Sequence, residues 1–424
     1  MNEWLPEHWK TKQLSQIAEV VSGGTPSRDI EEYWVPAEVV WVTPTDITKD
    51  DKRILKTSKE KISMKGLKNS SARLLPKGTI LMTSRATLGE MKLSLIECST
   101  NQGFKSLIPK KGTHHWFLYY QMLRMKLAYE ALGTGSTFLE VNKKDTDSFE
   151  VLFPPYNQQQ KIAKVLSRVD KLIEKTQNLI DKYTSIKLGI MADLFTRGID
   201  LKTGQLRPSV KDAPELYQQT ELGLIPKEWG LINLGDICKK ITDGSHQSVK
   251  TTLNGEVPFL FVSSVRNGRI MWDKTALISK EDYAVISKGR EPKKGDVLYT
   301  AVGSYGHAAY VHKDLEFSFQ RHIAYIKPDC SYLNSKYLVE LLNCQIMKVW
   351  ADRVALGNAQ KTVTLGELSK YPILLPKLSE QKKIINKLIA INGLIDLEFA
   401  CLNKNKKTKR GLMQDLLTGK VKVN

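Results

Sequence analysis

No run of eighteen apolar residues occurs in this sequence, so no segment is suited to cross a membrane as a helix. The chain opens with Asn2-Glu3-Trp4 and lacks the basic-then-apolar signature of a secretory signal, which reads for the cytoplasm. Cysteine is scarce. Cys98, Cys238, Cys330, Cys344 and Cys401 are scattered, odd in number and without a C-x-x-C pair. That excludes a disulfide framework and argues against a zinc site, leaving cysteine as a small apolar residue. Histidine gives no metal site either. His114 and His115 are adjacent and face different ways on any regular element, while His307 and His312 have no third ligand nearby. The phosphate-cradling G-x-x-x-x-G-K-[ST] loop is absent. Gly133-Thr134-Gly135-Ser136-Thr137 follows no predicted strand and reads as a flexible or binding loop.

Positive charge is in excess. Lys and Arg number 64 against 45 Asp and Glu, giving a net charge of +19 and a pI near 9.4. A chain this basic is suited to a polyanion.

The sequence also repeats itself. Lys187, Gly189, Met191, Asp193, Leu194 and Thr196 recur as Lys409, Gly411, Met413, Asp415, Leu416 and Thr418, an offset of 222. Pro6, Trp9, Leu14, Ile17 and Gly24 match Pro226, Trp229, Leu234, Ile237 and Gly244 at an offset of 220. Lys77, Gly78, Leu81, Thr83 and Gly89 match Lys294, Gly295, Leu298, Thr300 and Gly306 at 217. This period is far longer than the roughly 20–50 residues of a solenoid unit. It marks duplication of a whole domain with a helix after it, and hence internal pseudo-two-fold symmetry.

Within each copy the apolar runs are short. Val39–Val42, Thr79–Met82 and Ser106–Ile108 read as strands, as do Phe259–Val262, Asp296–Tyr299 and Ala324–Ile326. Trp116–Tyr129 and Tyr337–Trp350 have helical spacing. Strands and helices without regular alternation predict an α+β domain. Each copy then runs through an apolar segment and a proline (Phe153-Pro154, Leu375-Pro376) into a long helix. From Gln158 to Thr196, Ile162, Val169, Thr176, Tyr183 and Ile190 recur every seven residues. Val165, Leu172, Leu179 and Ile186 form a second seam, widened by Leu166, Ile173 and Ile180. The second helix keeps Ile384, Leu388, Ile391, Leu394, Ile395, Leu402 and Leu412. Such a period predicts a coiled coil between the two. The expected boundaries are domains at 1–155 and 223–376, helices at 156–198 and 377–424, and a polar linker at 199–222.

Catalytic motifs are degenerate. Phe153-Pro154-Pro155-Tyr156 has the shape of an amino-methyltransferase motif, but Phe153 cannot accept a hydrogen bond from the target amine. It reads instead as the start of a helix. Glu90-Met91-Lys92 could end a metal-dependent nuclease motif, yet the second copy has His307-Ala308-Ala309 there. A nuclease or methyltransferase with degraded motifs is the alternative reading, and a protein-only scaffold a third. What remains is a set of polar and basic residues near predicted turns, of the types that contact phosphates and base edges. In the first copy these are Lys49, Lys52, Arg53, Ser84, Arg85, Asn101, Gln102 and Lys105. In the second they are His246, Arg266, Asn267, Arg269, Ser304, Tyr305, Gln320 and Arg321. Leu166, Ile173, Ile180, Ile385, Ile389 and Ile395 exceed what one helical neighbour covers, and are candidates for subunit docking.

Taken together, the chain resembles the specificity subunits of type I restriction–modification systems. The resemblance rests on Gly23-Gly24-Thr25-Pro26-Ser27, Glu32-Tyr33-Trp34 and Trp41-Val42-Thr43-Pro44-Thr45-Asp46-Ile47. It rests further on Glu380-Gln381-Lys382-Lys383-Ile384 and on Gly411–Gly419. Gln158-Gln159 departs from the family's Glu-Gln pair. The resemblance implies two mixed α/β target-recognition domains separated by two long antiparallel helices, each domain reading half of a bipartite, asymmetric DNA site. It implies no catalysis by this chain, with the helices setting the spacer. Two methyltransferase subunits and the restriction subunits would be the partners, carrying S-adenosylmethionine, ATP and magnesium.

Overall fold

Residues 6, 8–135, 139–266, 268–358 and 360–422 are described by the computed structural model. Ser136, Thr137 and Asn267 lie outside them, as do Asn2, Glu3 and Trp4. The chain divides into two units, Met1–Asn178 with Phe399–Asn424, and Leu179–Glu398. Each contains one globular head and a stretch of both long helices.

In the first unit, strands Ala18–Ser22, Lys105–Pro109, Ile80–Met82, Met91–Ser94 and Ile54–Leu55 form a five-stranded sheet in that order. A three-stranded sheet joins Glu60–Ile62, Val39–Val42 and Ser99–Thr100, the last pair parallel. The strands are short and apolar because they are covered on both faces; every residue of Ile80–Met82 and Met91–Ser94 is buried. The core runs from Ile80, Met82 and Leu93 through Phe117 and Tyr120 to the long helices at Ile162, Leu166, Met413 and Leu416.

The second unit repeats this order. Its four-stranded sheet runs Cys238–Asp243, Ile323–Pro328, Val297–Thr300, Ala308–Tyr310. Its three-stranded sheet runs Thr275–Ile278, Val257–Leu260, Ser318–Phe319, again ending on a parallel pair. The fold class is thus the α+β one that the sequence predicts, present twice. Local departures are small. The predicted helices break at Met125 and Cys344, giving His115–Arg124 with Lys126–Glu130 and Ser335–Asn343 with Gln345–Val354. The strand expected to reach Val262 stops at Leu260 and turns into a 3₁₀ helix.

The long helices are Tyr156–Thr196 and Leu378–Leu417, 41 and 40 residues. At 1.5 Å per residue each is about 60 Å long. Proline precedes each start, and the ends are released by Gly198 and Gly419 at φ +64° and +75°, where a side chain would be strained. In the first unit the helix pair is antiparallel: Ile162 and Leu166, early in one helix, share a core with Met413 and Leu416, late in the other. In the second unit Met191 and Leu194 meet Ile384 and Leu388 in the same sense.

Only one of the two predicted seams is inward. Ile162, Leu166, Thr176 and Ile180 are buried, with Val169 and Ile173 half-buried between them. That is the 4-3 spacing that keeps one stripe on a partner helix. Leu172, Leu179 and Ile186 lie one position off this stripe and are exposed, as is Leu394. The docking candidates are corrected accordingly. Leu166, Ile180 and Ile385 are inside the chain's own core, Ile173 and Ile395 are half-buried, and Ile389 is exposed.

Each head is clamped at the foot of a long helix. Trp9 Nε1 donates to Gln158 Oε1 (2.8 Å), and Trp229 Nε1 to Glu380 Oε1 (3.1 Å) at the homologous place. The difference between amide and acid has a local cause. Arg207, from the segment after the first long helix, donates to both oxygens of buried Glu380 at 2.6 and 3.0 Å. Ile199 N–H adds a bond of 2.8 Å to Oε1. Burial alone would lower the Arg207 pKa, but Glu380 and Glu228 hold it raised. At the homologous place in the first unit the carboxyl is replaced by neutral Gln158. Removing one member of such a buried pair should destabilise by about 3–5 kcal/mol. Arg207→Ala and Glu380→Ala should each lower stability by that amount in denaturant titration. Arg207→Leu combined with Glu380→Gln, which imitates the Gln158 end, should cost clearly less than either.

Candidate nucleic-acid interface

Four loops meet at one edge of each head, on a backbone frame that is the same twice. In the first head, Gly24 N–H donates to Thr100 O (2.9 Å), joining the 23–27 loop to 100–103. Ser84 N–H donates to Gly103 O (2.8 Å), and Val141 N–H to Ser84 O (3.1 Å), bringing in the 84–89 turn and the 133–141 segment. In the second head, Ser245 N–H donates to Phe319 O (2.9 Å) and Arg321 N–H to Ser245 O (3.0 Å). Ala301 N–H donates to His322 O (2.9 Å) and Val363 N–H to Ala301 O (2.8 Å). The close approach requires glycine: a Cβ on Gly23 would stand 2.1 Å from Asn101 O, and one on Gly244 2.2 Å from Phe319 O. The turns also share a left-handed residue, Ala86 at φ +58° and Gly303 at φ +71°.

On this common frame the side chains differ. Arg85 occupies the place of Val302, Gln102 that of Arg321, and Glu140 that of Thr362, judged by their homologous bridges and bonds. Arg85 is exposed, its Nε 2.8 Å from Glu140 Oε2. Burial would raise the Glu140 carboxyl, but Arg85 and Lys105 hold it below the ordinary carboxylate range. Exposed Gln102 accepts from Thr25 Oγ1 at 2.5 Å. Arg321 and Ser304 are exposed, and so is His246, whose ring nitrogen is 2.6 Å from Asp243.

Several sequence candidates are not available as readers. Ser84 and Lys105 are buried under the loops, Lys105 Nζ lying 3.4 Å from both Ser84 Oγ and Glu140. Asn101 is half-buried and accepts from Gly103 N–H, shaping its own turn. Gln320 is half-buried, and Tyr305 donates to Asp352 at 2.5 Å. Arg266 folds back on the carbonyls of Val262 and Val265 at 2.7 and 2.6 Å. Lys49 is exposed beside Asp46, and Lys52 lines a cleft against the long helices together with Arg53.

Arg53 and Arg269 tie each head to its helices instead. Buried Arg53 lies 2.8 Å from Glu174 and 3.3 Å from Asp170. Arg269 pairs with Asp396, the residue homologous to Glu174 at the 222 offset. Asp170 also accepts from Tyr120 (2.5 Å) and pairs with Lys409 (2.8 Å). In the second unit the acid has moved across the interface: Glu340 stands in the place of Tyr120, paired with Lys187 (2.9 Å) and bonded to Asn392 (2.8 Å). The chemistry is a charged strut between head and helix, rebuilt with the carboxylate on the opposite side.

The family described as the type I restriction modification DNA specificity domain matches residues 6–182 and 226–404, one copy per repeat. The chain belongs to this family. It is 31% identical to the type I restriction enzyme MjaIX specificity subunit of Methanocaldococcus jannaschii, over 99% of this chain and 95% of that one. It is 27% identical to the EcoR124I/EcoR124II specificity subunit of Escherichia coli, over 39% of this chain and 41% of the relative. The crystal structure of the type I restriction–modification S subunit from M. genitalium has the same fold, with a TM-score of 0.57, 14% identity and 96% of both chains covered.

Membership makes this a DNA sequence-specificity subunit, a non-catalytic part of a restriction–modification system. The residues of the nuclease-like stretch are held in ion pairs. Lys92 is buried with its amine 2.5 Å from Asp50, and Glu90 pairs with Lys126 at 2.6 Å. Among the described residues no group of three His, Cys, Asp or Glu could hold a metal ion. Two positions of this specificity subunit were missed as candidates, Thr25 and Glu140. The repeat offset marks Glu140, because it aligns with Thr362 beside the paired turns.

His307, at the base of the 301–306 turn, gives a pH dependence. Burial first, then nearby Arg266 and Lys348, lower its pKa from 6.5 to about 4. The folded state therefore keeps this imidazole neutral where the unfolded chain takes up a proton. Its contribution to stability is complete above pH 6.5 and falls away as the pH drops towards 4. Melting temperature should fall more steeply between pH 7 and 5 in the wild type than in His307→Gln. Equal slopes would remove His307 from that account.

Proposed function

We propose that this specificity subunit reads a bipartite, asymmetric site in double-stranded DNA, one half-site to each loop cluster. One observation carries the reading: two heads share a backbone frame but present different side chains from it, Arg85 and Gln102 against Val302 and Arg321. A shared frame would approach DNA in the same way twice, and different side chains would select different bases. The net charge of +19 supplies phosphate attraction without sequence.

The helices are proposed as the spacer between half-sites and as the dock for two methyltransferase subunits. Support for docking comes from apolar side chains that this chain leaves in solvent: Leu172, Leu179 and Ile186 on the first helix, Ile389, Leu394 and Leu397 on the second. Exposed apolar stripes of this kind mark interaction surfaces. Restriction subunits would complete the assembly. S-adenosylmethionine, ATP and magnesium would be held by those partners, and the methyl transfer done by them.

Two outcomes are expected. The chain purified with its methyltransferase subunits should methylate one bipartite sequence, with specific binding about a thousand-fold or more tighter than non-specific binding. The chain alone should transfer no methyl group and cut no DNA; activity by the lone chain would favour the degraded-enzyme reading. Leu172→Glu with Leu179→Glu should abolish co-purification of methyltransferase subunits, whereas Leu253→Glu, on a side chain 98% exposed elsewhere, should leave assembly unchanged.

A further inference from the structure

Each loop cluster holds one arginine that is exposed and positioned on the shared frame, and the two arginines occupy different places on it. In the first head it is Arg85, on the turn between Ser84 and Gly89; the homologous place in the second head is Val302. In the second head it is Arg321, on the loop whose carbonyl at His322 receives Ala301 N–H; the homologous place in the first is Gln102. Of the other basic groups near these loops, Lys361 is exposed, whereas Arg28 and Lys105 are engaged. Arg28 forms two bonds with Glu60 (2.9 and 2.8 Å) and lies 3.8 Å over Trp34, and Lys105 is buried.

The contacts of the two arginines suit a bidentate reader. Glu140 takes the Nε side of Arg85. Among the described residues neither terminal nitrogen of Arg85 has a hydrogen-bond partner, so its end-on fork is left for a ligand. Among the described residues the Arg321 side chain hydrogen-bonds only to the ring of its neighbour, Nε lying 3.4 Å from His322 Nε2. A guanidinium fork matches O6 and N7 of guanine in the major groove, whereas an exposed amide such as that of Gln102 matches N6 and N7 of adenine.

We infer that Arg85 and Arg321 are the guanine readers of the two half-sites, one guanine each, placed at non-equivalent positions because one arginine sits on the turn and the other on the adjacent loop. This rests on the proposed bipartite reading. It goes further by naming the base, the edge and the residue.

The test uses the complex with methyltransferase subunits and a duplex bearing the wild-type site. Each guanine of the site is replaced in turn by 7-deazaguanine, which keeps O6 and removes the N7 acceptor. For the wild type, one replacement in each half-site should weaken binding roughly ten-fold, the scale of a major-groove hydrogen bond lost from a bidentate pair. Arg85→Ala should lose sensitivity in one half-site only, and Arg321→Ala in the other only. The inference is overturned if either variant keeps the full wild-type pattern. It is also overturned if a variant whose melting temperature is unchanged binds all sequences more weakly with the pattern intact, which is the mark of a phosphate contact. A wild-type complex with no sequence preference at all would instead refute the proposed function.

Discussion

A buried side-chain amide fixes the place where head and helix join, and the rest of the molecule is arranged around it twice. Gln159 is fully buried; its Nε2 donates to Pro154 O (2.9 Å) and Gly112 O (3.2 Å), and its Oε1 accepts from His114 N–H (2.9 Å). Gln381 repeats all three bonds with Pro376 O (2.9 Å), Tyr332 O (2.9 Å) and Asn334 N–H (2.7 Å). One amide thus satisfies the carbonyl before the long helix, a turn of the head and the start of the head's own helix. The bonds to Pro154 O and Pro376 O are buried, and leaving either carbonyl without a partner would cost about 1–3 kcal/mol. The glutamine ties the direction of the long helix to the position of the head, and so its persistence in both copies follows from geometry.

Around that joint the two copies have diverged where charge is concerned and kept their hydrogen-bond geometry. Glu380 pairs with Arg207, while Gln158 makes the same bond to its tryptophan as a neutral amide. Asp170 and Glu340 place the strut carboxylate on opposite sides of the head–helix contact, each with a homologous lysine, Lys409 or Lys187. Substitutions of this kind show which feature is constrained. The joint needs donors and acceptors in fixed places, and a charge only where a counter-charge reaches it.

The fold was largely legible from the sequence because its signals are local or repeated. The apolar runs at Val39–Val42 and Ile80–Met82, the prolines ahead of the long helices, and the 220-residue repeat all survive in the structure. Seam choice was less legible. The heptads that run through 165 and 166 differ by one position on a helix, and only packing decides that Leu166 and Ile180 go inward while Leu172 and Leu179 stay out. The site was legible as loops but not as residues. Arg53 and Arg269 look like free cations in sequence because their acids are 121 and 127 residues away. A sequence offset could have exposed them, since the arginines and Glu174 with Asp396 are both retained across the repeat. Lys105 and Ser84 failed as candidates for another reason: the turn that holds the loops together needs polar groups beneath it, and polarity alone does not tell support from contact.

The central claim is that two copies of one frame carry two different readers. Sequencing of methylated DNA from cells with and without this gene tests it most directly. The account predicts a single motif that depends on the gene, made of two unequal half-sites separated by a spacer of fixed length without sequence preference. A gene-dependent motif that is continuous, or whose two halves are inverted copies of one another, would contradict it.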